Sequence, residues 1–226
     1  MSQGRTSSKR AIIVTGGQPL SNAAIALLPI DAAVIAADSG LDHALAAGLR
    51  PVLVVGDLDS VSDTSLALAR EMGIPIQEHP PDKDDTDTEL AIAAALASGA
   101  DDLMLISGGG DRLDHSIGAL AALGHPSLAG CGTVTALWGD ALVFVLHGPR
   151  TRDLAIGAGI TFSLLALHGT CTGVTLRDAR WPLTNAVIEP ASSLGVSNVA
   201  VSTTVRITIA TGVLTVIVPQ FIGDPS

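Results

Sequence analysis

The chain has 226 residues, of which 22 are acidic and 12 are basic, and its formal net charge is −10. Because nucleic acids and anionic membrane surfaces attract clustered Lys and Arg, this balance argues against both as partners. The two cysteines have neither CxxC spacing nor a neighbouring histidine pair, which argues against a zinc site and a disulfide framework. An apolar content of 47% over this length favours an α/β domain followed by a small second domain.

The N-terminal ten residues are polar, and we expect them to form a mobile segment. The apolar run that follows stops at Gly16-Gly17-Gln18-Pro19, which is too short for a signal peptide. Residues 154–176 carry no formal charge, but several glycines interrupt them and they are rich in Thr, a pattern that favours strands over a membrane-spanning helix. These features predict a cytoplasmic protein.

From residue 11 to about 147, short β-branched or apolar runs alternate with Ala- and Leu-rich stretches that have helical spacing. This alternation predicts an α/β domain, residues 11–149, with a mainly parallel sheet and flanking helices. The expected strands are 11–15, 33–37, 52–55, 103–107, 133–137 and 142–146. The expected helices are 21–29, 40–48, 62–72, 87–98 and 114–123.

After residue 149 the composition changes to Thr-, Val- and Gly-rich segments, which have alternating polarity and no helical pattern. Alternation with a period of two is typical of half-buried antiparallel strands. Residues 150–226 are therefore predicted to form a small all-β sandwich domain.

Four short acidic segments, at 37–40, 56–60, 82–87 and 112–115, hold the most informative residues of the chain. Of the 22 acidic residues, 14 fall between Asp57 and Asp114, a density that requires a cation. Asp38 follows one expected strand, and Asp57 and Asp59 follow the next; ligands of parallel sheets bind beyond such strand ends. Carboxylates in this number suit Mg²⁺, which is commonly held by one or two carboxylates plus substrate phosphates. The pattern predicts metal-assisted phosphate chemistry.

Each acidic segment also has a simpler interpretation. Asp57 and Asp59 are two residues apart, so in extended chain their Cα atoms lie roughly 6.6 Å apart on one face, yet Asp and Ser are also common in solvated turns. Asp84 or Asp85 could cap the following helix. Capping does not use every acid of this segment, which leaves Asp87 for the cation and Lys83 for a phosphate.

Gly108-Gly109-Gly110 stands between an expected strand and helix, where backbone N–H groups can approach phosphate oxygens. Arg112 then supplies a fork suited to phosphate, and Asp114 could bind metal or ribose. His115 is interpreted as a capping or packing residue.

Tryptophan is scarce in this chain, which makes Trp181 conspicuous. Most tryptophans belong to a core. An exposed Trp181 near Ser197 and Asn198 would instead offer a flat platform for a cationic heteroaromatic ring.

Taken in order, these segments resemble the thiamine pyrophosphokinase family, and the resemblance runs from about residue 33 to 218. It implies an N-terminal domain that binds ATP and Mg²⁺, a C-terminal domain that binds thiamine, and a homodimer with shared active sites. The matching catalytic acids are Asp57, Asp59, Asp87 and Asp114, of which Asp57, Asp59 and Asp87 would hold the metal. The nucleotide would be bound by Asp38, Ser39, Gly40, Lys83, Gly109, Gly110 and Arg112, and thiamine by Trp181, Ser197 and Asn198.

The reaction implied by the resemblance is pyrophosphoryl transfer from ATP to the hydroxyethyl group of thiamine, giving thiamine diphosphate and AMP. Three alternatives remain open from the residues alone. They are pyrophosphoryl transfer to another hydroxymethyl heterocycle such as a pterin, metal-dependent phosphate hydrolysis, and non-catalytic sensing of thiamine or a nucleotide.

Overall fold

The structure is a computed structural model that describes residues 9–110 and 112–222. Of the predicted mobile segment 1–10, only Lys9 and Arg10 are among the described residues, and Arg10 begins a strand. The chain forms two compact units: the first extends to Ala122 and includes Gly130–Gly139, and the second contains Leu123–Ala129 and the residues from Asp140 onward. The predicted domain boundary at 149/150 stays a prediction.

The first unit is an α/β fold in which every paired strand is parallel, as the sequence predicted. Its strands lie in the order β6-β5-β1-β2-β3-β4. Along the chain the elements are β1 Arg10–Val14, α1 Asn22–Ala26, β2 Ala33–Ala37, α2 Gly40–Ala46, β3 Leu53–Gly56, α3 Asp63–Glu71, β4 Ile76–Glu78, α4 Asp87–Ala97, β5 Asp102–Ser107, α5 Leu113–Ala122 and β6 Thr133–Trp138.

The inner strands of this unit are continuous apolar runs because both of their faces are covered. In β1 the four residues after Arg10 are all buried, and β5 is buried over its last three residues. A cluster of Ala36, Leu41, Val54, Ala69 and Ile74 joins β2, α2, β3 and α3. This packing fixes the carboxyl ends of β2 and β3, from which the first acidic residues extend.

Strand β4 was not among the expected strands. Its three residues, Ile-Gln-Glu, include only one apolar side chain, and two of the three are exposed. A short strand at the edge of a sheet is covered on few sides, so it leaves little hydrophobic pattern to detect.

Up to residue 222, where the described part ends, the second unit contains a 3₁₀ turn, Pro126–Leu128, and eight strands that pair with one another in antiparallel fashion. One set of strands runs in the order β12-β9-β14-β7, and a four-stranded sheet has the order β11-β10-β13-β8. The strands are β7 Ala141–His147, β8 Arg150–Ala155, β9 Thr161–Leu165, β10 Cys171–Arg177, β11 Leu183–Ile188, β12 Asn198–Val199, β13 Thr204–Ile209 and β14 Val213–Val218.

Strand β7 corresponds to the expected strand 142–146, which the sequence grouped with the α/β domain. In the structure it pairs antiparallel with β14 over six residues, from His147 opposite Val213 to Leu142 opposite Val218. Its near-continuous burial resembles that of a parallel strand, and this explains the grouping. Among the described residues, no helix has the length and apolar character needed to cross a membrane.

Candidate functional site

Three carboxylates converge at the carboxyl ends of β2 and β3. Asp38 and Leu58 both have left-handed backbones, with φ of 48° and 66°, which turn the chain sharply just after each strand. The Asp38 N–H donates to the Val55 carbonyl at 2.9 Å, tying the two strand ends together. One carboxylate oxygen from each of Asp38, Asp57 and Asp59 lies within 4.8 Å of the others. The sequence-predicted convergence of these acids is therefore present.

Asp87 approaches the same place from the first residue of α4. The close approach depends on Gly56, where a Cβ atom would lie 3.2 Å from both Asp38 Cβ and Asp87 Cγ. Thr86 caps α4, forming a capping box with Glu89, so the expectation that Asp84 or Asp85 is the cap was wrong. A Thr cap leaves the neighbouring carboxylate of Asp87 free to face the cluster.

Lys83 is the cation of this acidic cluster in the structure. Its Nζ lies 3.0 Å from Asp57 Oδ2 and 3.0 Å from Asp87 Oδ1, and its side chain is only 14% exposed. Burial by itself lowers the pKa of Lys83, but hydrogen bonds to Asp57 and Asp87 outweigh it and raise the pKa. The hydrogen bond from Lys83 holds the pKa of Asp57 below its usual value.

The pKa of Asp38 is shifted in the opposite direction from that of Asp57. Burial, followed by repulsion from Asp87, Asp59 and Asp57, raises the pKa of Asp38. Its Oδ1 atom is buried and makes no hydrogen bond within the described part of the chain. A desolvated carboxylate oxygen among like charges is stabilised by a cation.

The donor set therefore fits Mg²⁺, which takes hard oxygen ligands. The sequence-predicted metal residues were Asp57, Asp59 and Asp87. The geometry places Asp38 with Asp57 and Asp59, and Lys83 forms ion pairs with both Asp57 and Asp87. Which of these acids hold the ion stays a prediction.

An open cleft of about 500 Å³ adjoins this cluster within the first unit. Side chains and backbone from the ends of β1, β2, β5 and β6 and from the starts of α2, α4 and α5 line it. The lining residues are Thr15, Gly16, Gly17, Ala37, Asp38, Ser39, Asp42, His43, Ser60, Asp87, Thr88, Ser107, Gly109, Gly110, Arg112, His115, Ser116, Ala119 and Trp138.

Two glycine-containing loops lie against each other in this cleft. The Gln18 N–H donates to the Gly109 carbonyl at 2.7 Å, and Ser107 Oγ donates to the Gly16 carbonyl at 2.8 Å. A Cβ atom on Gly108 would clash with the Gln18 carbonyl. The triple glycine therefore allows the close contact between the two loops.

Sequence reasoning missed the contribution of Gly16 and Gly17, which it treated only as the end of an apolar run. The available signal was their position directly after a strand, which matches the position of Gly108–Gly110.

His43 was given no role and His115 only a capping or packing role, yet both line the cleft. Ser39 also lines the cleft, and its predicted contact with the nucleotide stays a prediction. Gly40 is buried, and a Cβ there would clash with the Val14 carbonyl, which assigns Gly40 to the packing of α2 against β1.

Arg112 and Asp114 form an exposed bidentate pair, with 3.0 Å between Arg112 Nε and Asp114 Oδ1 and 2.7 Å between Nη2 and Oδ2. The hydrogen bonds from Arg112 hold the pKa of Asp114 well below its usual range. Arg112 lines the cleft, but the structure does not bring Asp114 into the carboxylate cluster.

The predicted thiamine residues lie together in the second unit. Trp181 is 53% exposed, and the Arg180 guanidinium lies 4.9 Å from its ring centroid. Asn198 is buried: its Oδ1 accepts the N–H groups of Trp181 and Val199, and its Nδ2 donates to the Trp181 carbonyl at 2.7 Å. Ser197 is exposed, and its N–H donates to Ser163 Oγ. Asn198 thus holds the backbone of Trp181, which is a supporting role.

A parallel α/β unit with acidic and glycine-containing loops at the strand ends defines a class of proteins that bind phosphorylated ligands there, and here it is joined to an all-β unit. The family model described as thiamin pyrophosphokinase, catalytic domain, matches residues 27–132, and the one described as thiamin pyrophosphokinase, vitamin B1 binding domain, matches residues 149–214. The chain belongs to the thiamine pyrophosphokinase family.

Solved structures of thiamine pyrophosphokinases share this fold. Thiamine pyrophosphokinase from Bacillus subtilis is similar with a TM-score of 0.80 and 23% identity, over 92% of this chain and 98% of that one. The enzyme from Geobacillus thermodenitrificans is similar with a TM-score of 0.76 and 26% identity, over 92% and 96%. Thiamin pyrophosphokinase from Candida albicans has a TM-score of 0.75 at 15% identity, over 92% and 89%. A comparison with curated protein sequences gives no significant match.

Proposed function

We propose that this chain transfers the pyrophosphoryl group of ATP to the hydroxyethyl group of thiamine. The observation that carries the proposal is the presence, in one chain, of matches to both the catalytic and the vitamin B1 binding domains of the family. The thiamine hydroxyl oxygen forms a bond to the β-phosphorus of ATP, and the bond from that phosphorus to the α,β-bridging oxygen breaks. AMP leaves with that bridging oxygen, and the hydroxyl proton passes to solvent.

The acidic cluster is proposed to bind Mg²⁺ through Asp57 and Asp59, with Asp38 or Asp87 completing the set. Bound there, the ion would neutralise charge on the phosphate oxygens. The residues of the chain would align the phosphates of ATP for the reaction. Arg112 supplies a guanidinium fork that can bind a phosphate, and the glycine-containing loops allow phosphates to approach backbone N–H groups.

In the second unit, Trp181 is proposed to hold the flat rings of thiamine by stacking. Asn198 would fix the position of Trp181 through hydrogen bonds to its backbone. We also propose a cytoplasmic homodimer in which thiamine is bound with residues of the partner subunit. Exposed apolar side chains of the second unit support association; they are Leu167, Trp181, Val187, Leu194, Val196 and Val201. Sedimentation analysis of the purified chain tests the dimer.

The decisive experiment is an assay of AMP release from ATP and Mg²⁺, with and without thiamine, with the product identified by mass. Thiamine-dependent AMP together with thiamine diphosphate supports the proposal. Thiamine-independent ADP or phosphate would point to a phosphohydrolase, activity only with a hydroxymethylpterin would point to another acceptor, and complete inactivity would favour a sensor. Asp59→Asn is the control, and its turnover is expected to fall by about two orders of magnitude or more, since the ligand set loses a charge.

A further inference from the structure

Trp138 is a half-buried aromatic residue at the end of β6 for which neither the fold nor the reaction has supplied a role. It lines the cleft, where it is the one indole among the described lining residues; the other rings there are the smaller imidazoles of His43 and His115. It stands opposite Ser107 in the parallel pairing of β5 and β6. A Cβ atom on Gly109 would lie 3.6 Å from Trp138 Cδ1, so the glycine loop runs beside the indole ring.

The strand order gives the cleft a direction. Trp138 ends β6, Ser107 ends β5, Thr15 and Gly16 follow β1, and Asp38 follows β2. Since neighbouring strands are about 4.8 Å apart, the three intervals from β6 to β2 span roughly 14 Å. An extended nucleoside triphosphate is comparable in length to this row of strand ends.

The residues at the two ends of this row of strand ends differ in charge and in aromatic character. At the β2 end Asp38 clusters with Asp57 and Asp59, a set that attracts a divalent cation and, through it, a polyphosphate. At the β6 end the ring of Trp138 offers a flat apolar face beside the uncharged residues Ser107 and Gly109. A nucleobase placed at the acidic end would meet only the smaller imidazole ring of His43, beside the carboxylates. Phosphates placed at the tryptophan would lie away from the carboxylate cluster that attracts a cation.

We propose that Trp138 is the platform on which the base of ATP stacks, so that the nucleotide lies across the strand ends from its base at β6 to its phosphates at β2 and β3. This inference rests on the proposed function and adds to it the orientation of the nucleotide. Stacking of a base on an aromatic ring strengthens binding by about tenfold or more, with little dependence on which base is stacked.

Binding experiments without thiamine test the platform directly. In calorimetric titrations with Mg²⁺ present, Trp138→Ala is expected to weaken ATP binding about tenfold, and Trp138→Phe to retain most of it. Inorganic triphosphate has no base, so its affinity should be the same for all three proteins. An equal loss for ATP and triphosphate would overturn the proposal, because it would mean that the substitution disturbs the phosphate region or the fold.

Fluorescence provides a second measurement. The chain has two tryptophans and no tyrosine, so in Trp181→Phe the emission comes from Trp138. AMP and ATP are expected to quench it, whereas inorganic triphosphate should bind without quenching. Calorimetric binding of ATP with unchanged Trp138 emission would overturn the platform while leaving the proposed function intact, whereas failure of the wild-type chain to bind ATP at all would overturn both.

Discussion

At the scale of single residues, the charge of the acidic site is partly neutralised by Lys83, which lies outside the ends of both β2 and β3. Lys83 lies 3.0 Å from carboxylate oxygens of both Asp57 and Asp87, with these side chains mostly buried. A divalent cation ligated by Asp57 would compete with the ammonium for the same carboxylate. Lys83 is thus expected to weaken metal binding to the nucleotide-free chain.

We predict that Lys83→Met binds Mn²⁺ roughly tenfold more tightly than the wild type, because the unbranched side chain keeps its length and loses its charge; a tenfold change corresponds to about 1.4 kcal/mol. Mn²⁺ titration followed by electron paramagnetic resonance measures this without turnover. Lys9→Met is a matched control, because it makes the same change in net charge at the one other lysine of the chain, which is exposed. Unchanged or weaker Mn²⁺ binding in Lys83→Met would contradict the prediction.

Asn198 is a positioning residue whose effect on thiamine passes through Trp181. In Asn198→Ala, the N–H and carbonyl of Trp181 and the N–H of Val199 lose their side-chain partner. A typical hydrogen bond contributes about 1 kcal/mol to stability, and water can reach the exposed Trp181. We predict a lower melting temperature and a KM for thiamine raised roughly tenfold, with the KM for ATP changed less than about twofold.

Steady-state kinetics with each substrate varied in turn separates these effects. Thr172→Ala removes an exposed side-chain hydrogen bond, to Thr211, in the same unit and at a residue with no predicted part in thiamine binding, so it serves as the comparison. If Asn198→Ala lowers stability while the thiamine KM stays normal, Trp181 does not depend on Asn198 for function.

At the scale of elements, the start of α4 sets the position of Asp87. Thr86 Oγ1 accepts the Glu89 N–H at 3.3 Å, and Glu89 Oε2 accepts the Thr86 N–H at 2.8 Å. We predict that Thr86→Ala lowers the free energy of unfolding by about 1 kcal/mol, as is usual for loss of a cap, and also weakens Mn²⁺ binding because the first turn frays.

Ser21→Ala removes a comparable cap from α1, where Ser21 Oγ accepts the Ala24 N–H at 3.1 Å. Urea unfolding should show a similar loss in both variants, and Mn²⁺ titration should show weaker binding only in Thr86→Ala. Equal metal affinity in the two variants would mean that the cap does not position Asp87.

The helices and strands also show which features of the structure could be predicted from sequence patterns. Burial on both faces makes β1, β2, β3 and β5 continuous apolar runs, and an Ala- and Leu-rich stretch with helical spacing is a strong helix signal, so these elements were predictable. The convergence of Asp38, Asp57 and Asp59 followed from the rule that parallel strands end on one edge. The ion pair from Lys83 to Asp57 was not predictable, because 26 residues separate them and the path of the intervening loop decides the contact.

Glycines were underestimated for a related reason. Gly56 carries no charge and no hydrophobic pattern, so its importance appears only when the side chains of Asp38 and Asp87 are seen to lie next to where a Cβ would be. For Gly16 and Gly17 the position after a strand was a signal, but their contacts with Ser39, Ser107 and Gly109 were not. The exposed pair of Arg112 and Asp114 is a contact that the sequence did not predict. The charged motif suggested that Asp114 binds a metal or ribose, and this role stays a prediction.

At the scale of the whole molecule, the net charge of −10 is concentrated, with 14 of 22 acidic residues between Asp57 and Asp114. Like charges held close together destabilise the folded chain, and a cation bound among them relieves that repulsion. Screening by monovalent salt acts on all exposed charges, whereas a specific ion acts at the cluster.

We therefore predict that MgCl₂ raises the melting temperature more than NaCl does at equal ionic strength. At a concentration 100 times the dissociation constant, binding to the folded state alone adds about 2.7 kcal/mol, which for a chain of this size corresponds to roughly 5–10 °C. Circular dichroism melts of the wild type and Asp59→Asn measure the difference, and the variant should lose most of the excess effect of MgCl₂ while keeping the effect of NaCl. Equal shifts by the two salts in the wild type would show that the carboxylates are screened in the same way as any acidic surface and do not form a metal site.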